Sequence, residues 1–289
     1  MVKGTFALGM ETALRQAGSV ARMLQGRVSN IGKPVSTHLP HDDEELQQKR
    51  AAKSIADEVI QEILLIAARS VLDNASVSVD AEEDTPSTRH FNPVGADSKT
   101  SLILDPIDGT LEYIAGEDIY SVCVGLVVDG TMEAALVYFA ADDVCYALDE
   151  TGRSYVANEF SLNGWKSAHE LATARHRRRR VYVNGRVEHD VVARLQAQNY
   201  EVVQDTHQHG GAPACILACL SGDSLGYIAH TRQARDILMG AIIGGARGGS
   251  ALDWSGKPLR WPARGRVQRA AFLCDDAPQD LIRCLIGQS

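Results

Sequence analysis

The chain has 289 residues, 45% of them hydrophobic, and a formal charge of −8. That is enough apolar material for a large core, as one big domain or two closely joined halves, while the acidic balance argues against a general nucleic-acid binder, since no broad basic excess exists to neutralise phosphates. The six cysteines form no C-x-x-C pair and Glu11, Arg15 and Arg22 interrupt the apolar residues near the N-terminus, so the sequence predicts a cytoplasmic protein with reduced thiols, no signal peptide and no membrane span.

Thr5 to about Gln25 carries apolar residues at helical spacing (Phe6, Met10, Leu14, Ala17, then Met23 or Leu24), with Gly26 as a stop. Val28 to Glu45, which ends in the acidic run Asp42-Asp43-Glu44-Glu45, reads as a loop. A second helix is expected from Leu46 to about Leu72, with Ile55, Val59, Ile63 and Ile66 as its buried stripe. Val77 and Val79 alternate with serines as in a half-buried strand, leading to Glu82-Glu83 and a polar loop that reaches Lys99. After the motif discussed next, strands are expected at Tyr120–Val128, Met132–Phe139 and Val144–Leu148, with Asp129-Gly130 as a hairpin turn. From Arg180 the pattern becomes alternating: strand Val181–Val183, helix His189–Ala197, strand Glu201–Gln204, helix Pro213–Leu220, strand Gly226–Ala229 and helix Ala234–Ile243. This predicts an N-terminal α+β half (1–155) and a C-terminal α/β half (156–289) with a mixed or parallel sheet.

The chemistry concentrates in Ser101-Leu-Ile-Leu-Asp105-Pro-Ile-Asp108-Gly-Thr110. Leu102–Leu104 reads as a short buried strand, and Pro106 holds Asp105 extended at its end. Asp105 and Asp108 then face one cation or two adjacent ones. Gly109 and Thr110 open a helix whose free N–H groups favour phosphate. Asp, Pro and Gly are also ordinary turn residues, but hard carboxylates beside a phosphate cradle are what Mg²⁺ phosphoryl chemistry requires. The basic run His176-Arg177-Arg178-Arg179-Arg180 reads as a solvated loop before a strand, and His207 and His209, without supporting carboxylates, as loop residues.

Asp105-Pro-Ile-Asp108-Gly-Thr110 resembles the signature of the inositol monophosphatase superfamily of lithium-sensitive, Mg²⁺-dependent phosphatases. The resemblance implies a layered α-β-α-β-α fold, a metal site between the halves, and a homodimer; the charge and the apolar pattern add the expectation that it binds neither nucleic acid nor membrane. It implies a phosphomonoesterase acting on a small sugar, polyol, amino-alcohol or nucleotide phosphate through metal-activated water. Carried onto this chain, Glu82 binds the activating metal, Asp105 bridges two metals, the Ile107 carbonyl completes the first, and Asp108 and Asp236 serve the second. Thr110 orients the attacking water. Gly109, Thr110, Gly211 and Ala212 contact the substrate.

The chain departs from that pattern in four places. Arg235 stands before Asp236 where Trp is usual, and Pro213 alters the Gly210-Gly211-Ala-Pro-Ala214 segment. Gly244-Gly-Ala-Arg247-Gly-Gly249 lacks the family's Glu, which argues against inositol phosphate in the usual pose; Arg247 hints at a more anionic substrate. Sliding the family's Thr-x-x-Asp along the second helix puts Lys53 at the aspartate that binds a third metal and pairs with the threonine, with Asp57 one turn later. If so, Lys53 takes a place in the catalytic set. These departures carry an alternative reading: a binding or regulatory protein on the same fold, or one with non-standard chemistry.

Overall fold

A computed structural model describes residues 2–32, 53–72, 76–91, 99–174, 178–205, 211–274, 277 and 279–286. The acidic run at 42–45, the expected helix start at 46–52, His176, Arg177, His207, His209 and Gly210 lie outside them.

Among the described residues the N-terminal helices are α1 (Thr5–Leu24) and α2 (Ile55–Val71). A seven-stranded sheet follows in the spatial order β1 (Val77–Ala81), β2 (Thr100–Asp108), β3 (Ser121–Val128), β4 (Thr131–Phe139), β5 (Val144–Leu148), β6 (Ser154–Asn158) and β7 (His169–Glu170). Only β1 and β2 run parallel within it; the other neighbours are antiparallel. Short helices α3 (Thr110–Ala115) and α4 (Phe160–Asn163) lie between its strands. The second half contributes β8 (Arg180–Val183), α5 (His189–Ala197), β9 (Glu201–Gln204), α6 (Gly211–Leu217), β10 (Gly226–Gln233), α7 (Leu238–Gly245), β11 (Ser250–Asp253), β12 (Arg266–Leu273) and α8 (Gln279–Ile286). Its five strands lie in the order β11-β12-β10-β8-β9, a mixed sheet in which β10, β8 and β9 are parallel.

The layers follow from the strand period of two. Leu102 and Leu104 of β2, Val122, Val124 and Leu126 of β3, and Leu136 and Tyr138 of β4 join one core with α1 and α2. The alternate residues Ile103, Cys123, Val127, Val137 and Phe139 enter a second core with α6, α7 and one face of the other sheet. A third core packs the outer face of that sheet against α5 and α8. Strands buried on both faces are apolar throughout, which is why β3 and β4 read as continuous hydrophobic runs. The result is the expected α-β-α-β-α stack. Helix α7 presses flush on the first sheet because Gly125 of β3 has no side chain: a Cβ there would stand 2.6 Å from Leu238 Cδ2.

Helix α2 corrects its expected face. Ile55, Val59 and Ile66 are exposed, and the buried side is Ala56, Asp57, Ile60, Gln61, Leu64, Leu65 and Ala68. Two polar residues belong to the inward stripe, and both serve the site. The basic run departs from a solvated loop at Arg180, which opens β8 and is paired with Asp223 and Glu201, while Arg179 stays exposed and is paired with Asp280. All six cysteines are buried and free. Among the described residues no helix is long and apolar enough to cross a membrane.

Candidate functional site

Parallel pairing of β1 with β2 places Ala81 opposite Leu104. The next residues, Glu82 and Asp105, therefore leave adjacent strands side by side, at the ~4.8 Å spacing of neighbouring strands. Asp105 and Asp108 alone would point to opposite faces of a regular strand. The register between them slips by one, from Asp105 opposite Cys123 to Asp108 opposite Ser121. This bulge holds Pro106, which has no N–H to contribute to the ladder, and it re-aims the chain. Ile107 drops into the core with α1 and α2, and Asp108 turns to the side that Asp105 faces.

Gly109 follows with φ +92°, the left-handed conformation glycine adopts most easily. A Cβ here would lie 2.7 Å from the Ile119 carbonyl oxygen. The turn starts α3 and brings Thr110 back over the bulge. Its hydroxyl lies 2.9 Å from the Ile107 carbonyl and 3.3 Å from Asp57 Oδ1, so one proton is shared between two acceptors.

Asp57 is fully buried. Its Oδ2 accepts from the Ser54 amide at 2.8 Å and the Ser54 hydroxyl at 2.7 Å, a capping box that starts α2. The side chain that meets Thr110 is thus Asp57, with Ser54-x-x-Asp57 standing where Thr-x-x-Asp was sought. Lys53 precedes the helix and points elsewhere. Its Nζ lies 2.6 Å from Glu58 Oε1 and 3.1 Å from Glu83 Oε2, so the placement of Lys53 in the aspartate's position is corrected. Gln61, also on the inward face of α2, grips the backbone of Glu83 at both N–H and C=O and fixes the turn that carries Glu82.

Asp236 arrives from the other sheet. It lies in a single 3₁₀ turn, Arg235–Ile237, between β10 and α7. Burial first, then the neighbouring carboxylates, pushes Asp105 and Asp108 well above the usual carboxylate range: Glu82 and Asp108 act on Asp105, and Asp236 and Glu82 on Asp108. Burial likewise raises Asp236, against the pull of Arg232 and Arg235, and lifts Asp57 to about 6. Glu82, Asp105, Asp108 and Asp236 are therefore brought together as mutually repelling charges. Asp105 Oδ1 is buried with no hydrogen-bond partner. Among the described residues no group of three or more His, Cys, Asp or Glu side chains is placed so that it could hold a metal ion as it stands. The donor set, with hard oxygens, an unpartnered buried carboxylate atom and excess negative charge, fits one or two hard divalent cations.

The remaining expected residues divide. Gly211 and Ala212 open α6, which packs against the turn of Asp236, but the Ala212 side chain belongs to the core. Pro213 sits in the first turn of α6, where a missing N–H costs little. Arg247 is not brought to the cluster. It follows α7 at the end opposite Asp236, exposed and bridged to Ala172 beside the edge strand β7. Four further residues join this region: Asp80, Arg232, Asp205 and Tyr227. Asp80 lies 3.8 Å from Arg235, which occupies the expected Trp position. Arg232 is held by Asp205, which also accepts from the Tyr227 hydroxyl.

The model of the inositol monophosphatase family matches residues 13–283. Solved structures share the fold at low identity. An IMPase from Thermotoga maritima superposes with a TM-score of 0.67 at 17% identity, covering 96% of this chain and 95% of that one. The extragenic suppressor protein suhB from Bartonella henselae gives 0.65 at 17%, covering 96% of each chain. CysQ from Bacteroides thetaiotaomicron, described as a bacterial member of the same family, gives 0.62 at 18%, covering 93% and 97%. No curated protein matches the sequence.

Proposed function

The chain belongs to the inositol monophosphatase family, and from that premise we propose that it is a Mg²⁺-dependent phosphomonoesterase acting on a small phosphorylated metabolite. The observation that carries the proposal is the gathering of Glu82, Asp105, Asp108 and Asp236 from three separate chain segments into one electrostatically strained group. A fold that had abandoned cation binding would relieve such repulsion by mutation at no cost.

Glu82, Asp105, the Ile107 carbonyl, Asp108 and Asp236 would hold the metal. Bound there, it supplies charge neutralisation for the phosphoryl group and an acidified water. The protein's own part is positional. Thr110, anchored between Ile107 and Asp57, presents its hydroxyl oxygen to the water site, and Asp57 is the buried acceptor for a proton leaving that region. First-turn N–H groups after Gly109 face the phosphate. Lys53, tied to Glu58 and Glu83, stabilises the Glu82-Glu83 turn and takes no part in the chemistry.

The test is phosphate release from sugar, inositol, histidinol and nucleotide phosphates, with and without Mg²⁺, accompanied by thermal melts. The proposal expects Mg²⁺-dependent release and a Mg²⁺-dependent rise in Tm, with both lost in Asp105→Asn. A Tm rise without release from any phosphate would favour a binding or regulatory protein instead.

A further inference from the structure

Strand β10 alternates regularly as far as His230. Tyr227 and Ala229 face the core between the sheets, Ile228 faces the outer core, and the His230 ring lies 5.6 Å from Trp254 on that outer side. Regular continuation would turn Thr231 inward and Arg232 outward. Thr231 instead has φ +56°, a left-handed conformation that β-branched residues rarely hold. The pairing with β12 does not force this, since His230 opposite Arg269 and Arg232 opposite Val267 keep one register. The consequence is an inversion. Thr231 reaches Gln268 at the surface, and Arg232 returns to the inner side, where Nη2 meets Asp205 Oδ2 at 2.9 Å.

Strain of this kind persists where surrounding structure holds it, and it commonly aims a functional group. The group aimed here is an arginine whose rotation is fixed by a buried acid. The Asp205 side chain is 4% exposed and also accepts from Tyr227. The Arg232 side chain is 28% exposed, and its Nε has no hydrogen-bond partner. Its charge acts on Asp108 and Asp236, the two carboxylates on its side of the site. A guanidinium fork has five donors and matches a carboxylate or phosphate in two-pronged fashion. Ordering that fork on Asp205 during folding lowers the entropy cost of using it on a ligand.

We propose that Arg232, turned inward by Thr231 and braced by Asp205 and Tyr227, recognises a second anionic group on the substrate. The preferred substrate class is then a phosphate monoester that carries a further carboxylate or phosphate. This rests on the phosphatase reading above and adds the specificity residue to it.

Two matched probe pairs test the inference. Glycerol 2-phosphate and 2-phosphoglycerate differ by a carboxylate; fructose 6-phosphate and fructose 1,6-bisphosphate differ by a phosphate. Binding is measured by calorimetry with Ca²⁺ to slow turnover, and phosphate release is measured with Mg²⁺. The natural chain is expected to bind the more anionic member of at least one pair tenfold or more tightly, and the pair that responds identifies carboxylate or phosphate. Arg232→Gln should cut that preference at least tenfold, and Arg232→Lys, which keeps the charge without the fork, several-fold; melts verify that each is folded. If Arg232→Gln does not fold, the Lys variant decides. No preference in the natural chain, or an equal loss on both members of a pair, overturns the inference. Preference without phosphate release from any probe or from any phosphate of the wider panel above supports Arg232 and sinks the phosphatase reading. Release without preference does the reverse.

Discussion

The Thr110 hydroxyl reaches Asp57 Oδ1 at 3.3 Å, joining the first turn of α2 to the loop that carries Asp105 and Asp108. Asp57 makes this contact because Ser54 holds its other oxygen from two directions. Ser54→Ala removes the hydroxyl that both caps the helix and satisfies a buried carboxylate. Loss of the cap costs about 1 kcal/mol, and the loss of one of the two donors to Asp57 Oδ2, whose backbone amide donor remains, adds about 1 kcal/mol. The variant should melt several degrees lower and, under the proposed function, release phosphate more slowly at saturating substrate. A Tm within a degree of the natural chain would show that the capping box contributes little.

Burial places the Asp57 carboxyl at about 6, against 3.8 for the free side chain. Because the folded value is the higher one, the fold binds the proton more tightly than the unfolded chain. Stability from this group is present at low pH and lost as pH rises from about 4 through 6, amounting to about 3 kcal/mol by pH 7. Asn mimics the protonated form and does not titrate. Without divalent cation, the Tm of Asp57→Asn minus that of the natural chain should therefore grow between pH 4 and 7 and then level off. A difference that stays flat across this range would mean that Asp57 is ionised at its ordinary value.

Much of this was legible in the sequence, and the exceptions share a physical cause. Apolar runs marked β3 to β5, Asp129-Gly130 marked the hairpin, and the Asp-Pro-Ile-Asp segment marked the cluster. The face of α2 differs from the expected one because Ile55, Val59 and Ile66 are stronger hydrophobes than Ala56, Asp57, Gln61 and Ala68, which are buried beside Ile60, Leu64 and Leu65. Hydrophobic periodicity does not see a polar residue that is buried to serve a site. A local signal was available: Ser54-x-x-Asp57 is a helix-start pattern in its own right. The inward turn of Arg232 had no such signal, because threonine in a left-handed conformation contradicts its own propensity. After Ile243, β11 is a strand of only four residues, whereas α8 does carry a helical signal, with Leu281, Cys284 and Leu285 buried on one face.

Gly109 is a position where one methyl group should disable the site. Its φ of +92° strains any other residue, and the new Cβ would meet the Ile119 carbonyl at 2.7 Å and Tyr120 Cα at 3.4 Å. Both obstacles are backbone of the segment entering β3, so neither can swing aside. Strain and clash together should cost Gly109→Ala about 2–4 kcal/mol. Relief would come by displacing Thr110, so phosphate release should fall more steeply than thermal stability, by tenfold or more. Wild-type turnover in a folded Gly109→Ala protein would remove the turn from the proposed machinery.

Lys53 separates the two placements of the water-activating acid. Its ammonium sits between Glu58 and Glu83, the latter with a side chain only 3% exposed. Those two carboxylates, against the opposing effect of burial, raise its pKa, so it is charged at neutral pH. Lys53→Met leaves Glu83 without its cation; with Lys53 and Glu58 partly open to solvent, the cost should be about 2–4 kcal/mol rather than the full penalty for a buried pair. Lys53→Asp should cost more, because a third carboxylate then faces Glu58 and Glu83. Were Lys53 standing in the place of a metal-binding aspartate, the same change would restore a ligand and raise Mg²⁺-dependent turnover. With Asp57 already on Thr110, the expected result is the opposite: a lower Tm than Lys53→Met and turnover no greater than that of the natural chain. Turnover gained in Lys53→Asp would make the Asp57–Thr110 contact incidental and return the third-metal position to residue 53.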